Sequence, residues 1–219
     1  SNKVTNICIF PIPGCVTFPG TVFPLHVFEP RYRDMIHHCL ETDTPVAICH
    51  TRKELSPGKQ TRNLAEALNS NQATYKPYDI FSAGPCELLE TLPDGRMVLN
   101  VHLQQRYRRD HEVQLLPWQV YACSPLVDRE LTAAEQENCT TLRNKILHRL
   151  QALSHPEPAA REAMEQLASA DEWLAKSNSE FSLALFGVIR FDPEILQALL
   201  EMDSPQQRLQ RTLELLNAV

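Results

Sequence analysis

Phe10-Pro11-Ile12-Pro13-Gly14-Cys15-Val16-Thr17-Phe18-Pro19-Gly20-Thr21-Val22-Phe23-Pro24-Leu25 sets apolar residues among repeated prolines and glycines. Proline cannot donate to a β-ladder, so this stretch and residues 7–10 before it read as edge strands or strand ends with bends between them. Pro19-Gly20 fits a type II turn, because glycine tolerates the positive φ that such a turn requires. Residues 21–28 are apolar on both faces, which predicts a strand covered on both sides.

Outward from this stretch, the pattern alternates strands with turns. Glu29 stands where a helix N-cap belongs and Pro30 suits a first turn. Tyr32, Met35, Ile36, Cys39 and Leu40 then share one helical face. Residues 45–49 return as a strand. Residues 51–77 are polar, contain Ser56-Pro57-Gly58-Lys59, and read as a long, partly mobile loop. Residues 86–92 and 96–103 flank Pro93-Asp94-Gly95, a hairpin turn in which each residue has its own backbone reason to be present. Residues 118–124 make a last strand.

The character of the chain changes near residue 128. Most of the 16 prolines and five of the 6 glycines lie before it, and long helical patterns follow it. Leu142, Ile146, Leu150 and Leu153 share a face of the first helix, and His155-Pro156-Glu157-Pro158 ends it. Further helices are expected over 159–173 and 181–189. Asp192-Pro193-Glu194 and Asp203-Ser204-Pro205 start two more, each placing a capping residue before a first-turn proline. These carry Ile195, Leu199 and Leu200, then Leu209, Leu213 and Leu216. The expected class is α+β, with a β-rich part over 1–127 and an α-helical part over 128–219.

Composition bounds what the chain does. With 219 residues and 43% hydrophobic content it can bury a core, and no apolar run approaches the roughly 20 residues that span a bilayer. The opening Ser1-Asn2-Lys3 lacks the features of a secretory leader, and Ser1-Asn2 reads as a scar of tag removal. Seven cysteines without a CxxC spacing suit a reducing, cytoplasmic setting. Asn138-Cys139-Thr140 matches a glycosylation sequon but falls inside an expected helix. Residues 1–128 hold 12 basic and 13 acidic groups, and residues 129–219 hold 9 and 14. Neither balance provides the clustered positive charge that phosphate backbones attract.

No catalytic constellation stands out in the sequence. Gly58-Lys59-Gln60 lacks the first glycine and the hydroxyl of a phosphate-binding loop. His111-Glu112 lacks a second histidine, since Leu115 occupies its place. His37-His38-Cys39 and Cys49-His50 match no common zinc spacing, and Cys49 and His50, adjacent on a strand, point to opposite faces. No metal or cofactor is expected. A cysteine hydrolase built on Cys39 or Cys49 would need a distant histidine in reach. Two groups remain as binding candidates. Arg106, Tyr107, Arg108 and Arg109 form the one basic, aromatic-interleaved strip, a contact for an anionic or peptide partner or else a strand end with solvated arginines, the reading we favour. Tyr75, Tyr78 and Phe81 flank the long loop and either line a peptide groove or pack beneath that loop. Trp118 and Trp173 read as core.

Residues 10–25, followed by the helix over 29–40, resemble the opening of the Lon N-terminal domain. Ala83-Gly84-Pro85-Cys86-Glu87-Leu88-Leu89 with Leu92-Pro93-Asp94-Gly95-Arg96 resembles that family's second landmark, a glycine-containing strand and its hairpin. Residues 191–216, with Leu199-Leu200-Glu201 and Arg208-Leu209, resemble its helical end. The likeness spans roughly residues 7–217 and is poor over 51–77. It implies a PUA-like β pseudo-barrel followed by a helical bundle. It implies also a non-catalytic recognition module for peptides or unfolded polypeptides, because the family's ATPase motifs and Ser-Lys dyad lie beyond this region. The partners it implies are polypeptide substrates or a separate protease or chaperone, with self-association left open. An RNA-binding module of PUA-like type is the alternative, and it requires a contiguous positive patch around Arg106, Arg108 and Arg109. The closing stretch, residues 212–219, reads as a finished helix and favours a stand-alone product.

Overall fold

The protein is described by a computed structural model covering residues 3–53, 75–153 and 155–219. The chain divides into two compact units, Ser1–Leu126 and Val127–Val219.

In the first unit, strands β1 (Thr5–Pro11), β3 (Val46–Cys49), β6 (Ile80–Gly84), β9 (Gln105–Gln114) and β10 (Val120–Leu126) close a barrel in the order β1-β10-β9-β6-β3. Strands β2 (Thr21–Val27), β7 (Cys86–Thr91) and β8 (Met97–Leu103) form a second sheet in the order β2-β8-β7, and β4 (Thr51–Lys53) pairs with β5 (Tyr75–Pro77). The expected hairpin is the β7–β8 pair. Its turn is closed by the Leu92 N–H on the Arg96 carbonyl at 2.8 Å, with Gly95 at φ 92°.

Of the two expectations about the opening stretch one holds, since Pro11 stands at the end of β1 and Pro24 on β2, an edge of its sheet, and the other is corrected. Strand β1 is not an edge: it pairs with β10 on one side and, in parallel, with β3 on the other. Its proline stands last in the strand, where a missing donor costs little. The segment that follows is pinned from outside. The Ile12 N–H donates to the Cys49 carbonyl at 2.9 Å and the Thr17 hydroxyl to the Ile48 carbonyl at 2.7 Å. The strand covered on both faces is not β2. In β2 only Leu25 and Val27 are buried, on alternate positions, while Val22, Pro24 and His26 face solvent. Double coverage belongs to β1 and β3. Ile7, Ile9, Ala47 and Cys49 join Phe81, Ala83, Tyr121 and Cys123 in a cluster drawn from barrel strands alone. Cys8, Val46 and Ile48, one residue out of phase, pack with Leu25, Val27, Met97, Leu99 and the helix α1 (Pro30–Thr42). The period of two sends alternate side chains of one strand into two different cores.

Helix α1 has Pro30 in its first turn and buries Tyr32, Met35, Ile36 and Cys39. Leu40, expected in that stripe, is exposed, and Glu29 occupies the N-cap without a side-chain cap bond.

The second unit contains α2 (Ala133–Ala152), α3 (Pro158–Ser169), α4 (Asp171–Leu174), α5 (Asn178–Ala184) continued by a 3₁₀ turn (Leu185–Gly187), α6 (Pro193–Glu201) and α7 (Pro205–Asn217). The expected 159–173 and 181–189 helices are each broken into two pieces. The first breaks at Ala170, an extended residue that serves as C-cap of α3 and N-cap of α4. Helix α2 buries Cys139, Leu142, Ile146 and Leu150, leaving Leu153 as its extended C-cap. Ser204 caps α7 by accepting the Gln207 N–H at 3.2 Å, whereas Asp192 makes no side-chain cap bond to α6.

Two caps escaped the sequence reading although their pattern was present. Thr132 with Glu135, and Ser177 with Glu180, form reciprocal capping boxes at the starts of α2 and α5. The Ser177 hydroxyl accepts the Glu180 N–H at 3.1 Å, and the Glu180 carboxylate accepts the Ser177 N–H at 3.0 Å. That backbone hydrogen bond holds the Glu180 carboxyl below its ordinary range. Ser177→Ala is expected to lower stability by about 1 kcal/mol in urea unfolding at pH 7. Because the folded pKa is depressed, the Glu180 contribution is present above its unfolded pKa and fades as pH falls through the folded one. Alanine keeps that backbone N–H, so wild type and variant lose this contribution together and most of the deficit of the variant should persist in acid.

Candidate functional site

The opening stretch builds a cleft of about 430 Å³ in the first unit. Phe10 and Pro11 reach it from the end of β1, Ile12 and Pro13 from the bend beyond it. Leu25, His26 and Phe28 come from β2 and its exit, Glu29 and Tyr32 from the start of α1, and Tyr75 from β5. The walls are mostly apolar and aromatic. Phe10 stacks on Tyr32 with ring centroids 4.4 Å apart and planes at 28°, so the β1–α1 seam is a rigid aromatic wall. Burial pushes the Tyr32 phenol above its ordinary pKa, which keeps it neutral. Phe28 is 63% exposed although it is a large apolar side chain, and Tyr75 is 40% exposed. The Tyr75 carbonyl accepts from the Gln119 side-chain amide at 3.0 Å, which ties β5 to the barrel.

Of the seven residues singled out from sequence, Tyr75 alone lines this cleft. Tyr78 stacks on His50 at 5.1 Å, and the His50 Nδ1 in turn accepts the Gly14 N–H at 2.8 Å. Phe81 is 1% exposed in the barrel core. Its role is packing.

The basic strip is dispersed, which corrects the expectation of solvated arginines at a strand end. Residues 106–109 lie inside the ten-residue strand β9. Arg106 is 2% exposed, and Tyr107 packs against the barrel cluster. Arg108 is exposed. Arg109 donates to Asp79 at 2.8 Å and lies over the Tyr121 ring at 5.2 Å. A pleated strand sends neighbours to opposite faces, so four consecutive residues cannot make one patch.

The cysteines weighed as nucleophiles sit where thiolates are disfavoured. Cys39 and Cys49 are both buried. Hydrogen bonding with Cys8, then burial, pushes the Cys39 thiol up, and burial does the same to Cys49. Cys86 and Cys123 are each pushed up to about 12 by burial. Both tryptophans are partly buried: Trp118 packs against the outer core and Trp173 sits edge-on to Phe181. Among the described residues no three His, Cys, Asp or Glu side chains converge as metal ligands, and no helix is long and apolar enough to cross a membrane.

What the sequence reading missed is Phe28 and the Phe10–Tyr32 wall. The signal was present in the apolar residues that flank the prolines of 10–13 and precede Glu29, but an apolar residue in a strand pattern does not announce that it stays uncovered.

Known structures share this fold. The Lon N-terminal domain protein from Xanthomonas campestris is 20% identical and covers 96% of this chain and 98% of its own, with a TM-score of 0.60. The N-terminal domain of the Mycobacterium avium complex Lon protease is 13% identical, covers 97% and 98%, and has a TM-score of 0.65. At these identities the likeness is one of fold. The family described as the ATP-dependent protease La (LON) substrate-binding domain matches residues 6–218. With nearly the whole length matched and the barrel and helices in place, the chain belongs to the Lon substrate-binding domain family.

Proposed function

We propose that this chain is a non-catalytic recognition module that holds peptides or unfolded polypeptides by docking their apolar side chains in the cleft beside Phe28 and Tyr75. The observation that carries this reading is the cleft itself, apolar and aromatic along most of its wall, with Phe28 exposed at its rim. A cleft of this composition gives a flexible chain somewhere to bury side chains, and membership of a substrate-binding family supports a polypeptide as the ligand. In this reading the partners are polypeptide clients and a separate protease or chaperone that receives them. The compartment is the cytoplasm, where the seven cysteines, none of them in a disulfide, stay reduced. The RNA reading is disfavoured by the dispersal of Arg106, Arg108 and Arg109.

The test is fluorescence anisotropy with fluorescein-labelled, reduced and carboxymethylated α-lactalbumin, a permanently unfolded probe, against wild type and Phe28→Asp. Burying a phenylalanine is worth about 1.5–3 kcal/mol. Binding by Phe28→Asp should therefore weaken by roughly tenfold or more, with the thermal midpoint unchanged because the side chain is exposed. Equal affinity in the variant, or binding of a labelled RNA oligonucleotide in place of the polypeptide, sinks the proposal.

A further inference from the structure

The second unit carries a groove of about 660 Å³ between α2 and α7. Lys145, His148 and Arg149 line it from one stripe of α2, with Asn144 beside them and Asn217 facing them from α7. No carboxylate is among the residues that line it. That composition inverts its surroundings, since residues 129–219 hold 9 basic against 14 acidic groups. Most other cations of the unit are engaged. Arg129 pairs with Asp203, Arg208 with Asp128 and Arg211 with Glu214. Arg143 donates to the Lys176 and Trp173 carbonyls, and Lys176 lies over the Trp173 ring. Lys145 and His148 have no such partner among the described residues. Arg149 is held in place by the Leu216 carbonyl and by an oxygen of Val219, both at 3.3 Å. Glu214, the α7 carboxylate nearest in sequence, lines a different depression with Gln210 and Arg211.

We propose that this groove binds a small phosphorylated molecule, with its phosphoryl group among Lys145, His148 and Arg149 and its organic body along Leu213 and Ala152. Position 145 lies about one turn, roughly 5 Å along the axis, from both 148 and 149, at the i,i+3 and i,i+4 spacings that bring side chains together. That spacing lets a single phosphoryl group meet two cations at once. The charge-assisted bonds are the strong ones, and the Asn144 and Asn217 amides supply further donors. The groove is far larger than a lone phosphate, and its apolar wall gives an attached organic group a surface to rest on.

The test is a titration of the full chain with phenyl phosphate, followed by amide chemical shifts at constant ionic strength, with potassium chloride and inorganic phosphate as the comparison titrations. Saturable shifts confined to residues 141–152 and 213–217 are expected, with inorganic phosphate binding more weakly. Lys145→Glu, at an exposed position, should keep the remaining spectrum and weaken phenyl phosphate binding by about tenfold or more. Shifts reproduced by potassium chloride, an affinity unchanged in Lys145→Glu, or inorganic phosphate binding as tightly as phenyl phosphate would each overturn the assignment. Binding of the unfolded polypeptide at the cleft is read in a separate assay, so the two proposals fail independently.

Discussion

Arg208→Ala is expected to cost about 3–5 kcal/mol, a large share of the roughly 5–15 kcal/mol by which folded domains are stable. Arg208 on α7 is wholly buried. Its guanidinium donates to both Asp128 oxygens at 3.1 and 2.7 Å, to the Ser182 hydroxyl at 2.9 Å and to the Met202 carbonyl at 2.8 Å. Ser179 also hydrogen-bonds Asp128. One side chain thereby joins the start of the unit to α5 and to the residue that ends α6. Truncation leaves Asp128, 11% exposed, without the Arg208 countercharge, and takes a charged donor away from the Ser182 hydroxyl and the Met202 carbonyl. The size of the effect is the cost of stranding those partners. For that reason Arg208→Met combined with Asp128→Leu should recover most of the loss. Urea unfolding followed at 222 nm checks both. A single-variant loss below about 1 kcal/mol would mean that Asp128 rehydrates freely and that the network is incidental.

Gly84→Ala should be nearly as damaging to the first unit. A Cβ on Gly84 would lie 1.7 Å from the His102 carbonyl oxygen and 2.8 Å from its carbon. Both are backbone atoms of β8, with no rotamer to give way. The approach is fixed on either side by the His102 N–H on the Pro85 carbonyl at 3.0 Å and the Gln104 N–H on the Ala83 carbonyl at 3.1 Å. Here the barrel strand β6 runs directly into β7 of the three-stranded sheet, so a forced separation pulls the two sheets apart. Overpacking costs 1–3 kcal/mol where side chains can shift, and this site belongs at or above about 3 kcal/mol. Thermal unfolding should show a midpoint lower by roughly 10 °C or more. A shift of only a degree or two would mean that the β6–β8 crossing is plastic.

The elements whose cause is local could be read directly. Pro93-Asp94-Gly95 made its hairpin because Gly95 takes a positive φ at a turn closed within a few residues. Helix α1 buried the predicted side chains of its stripe except Leu40, and Ser204 with Pro205 started α7. The landmarks over 10–25 and 83–96 were specific enough to place the chain in its family, which the match over residues 6–218 established. Residues 54–74, most of the loop expected over 51–77, lie outside the described residues.

The candidate site was not legible in the same way. Tyr75 and Phe81 are both aromatics near one loop, yet one lines the cleft and the other fills the barrel. Arg106 and Arg108 are two apart on one strand, yet one is buried and the other exposed. Sequence determined which residues are apolar and which positions must turn, because those follow from side-chain chemistry and from φ and ψ. Only the tertiary structure decided that β1 lies inside a closed barrel, that Phe28 is left uncovered at a cleft, and that Arg208 is sealed in a core. Those outcomes depend on which distant strand or helix arrives to cover each face, and coverage belongs to the assembled chain rather than to any segment of it.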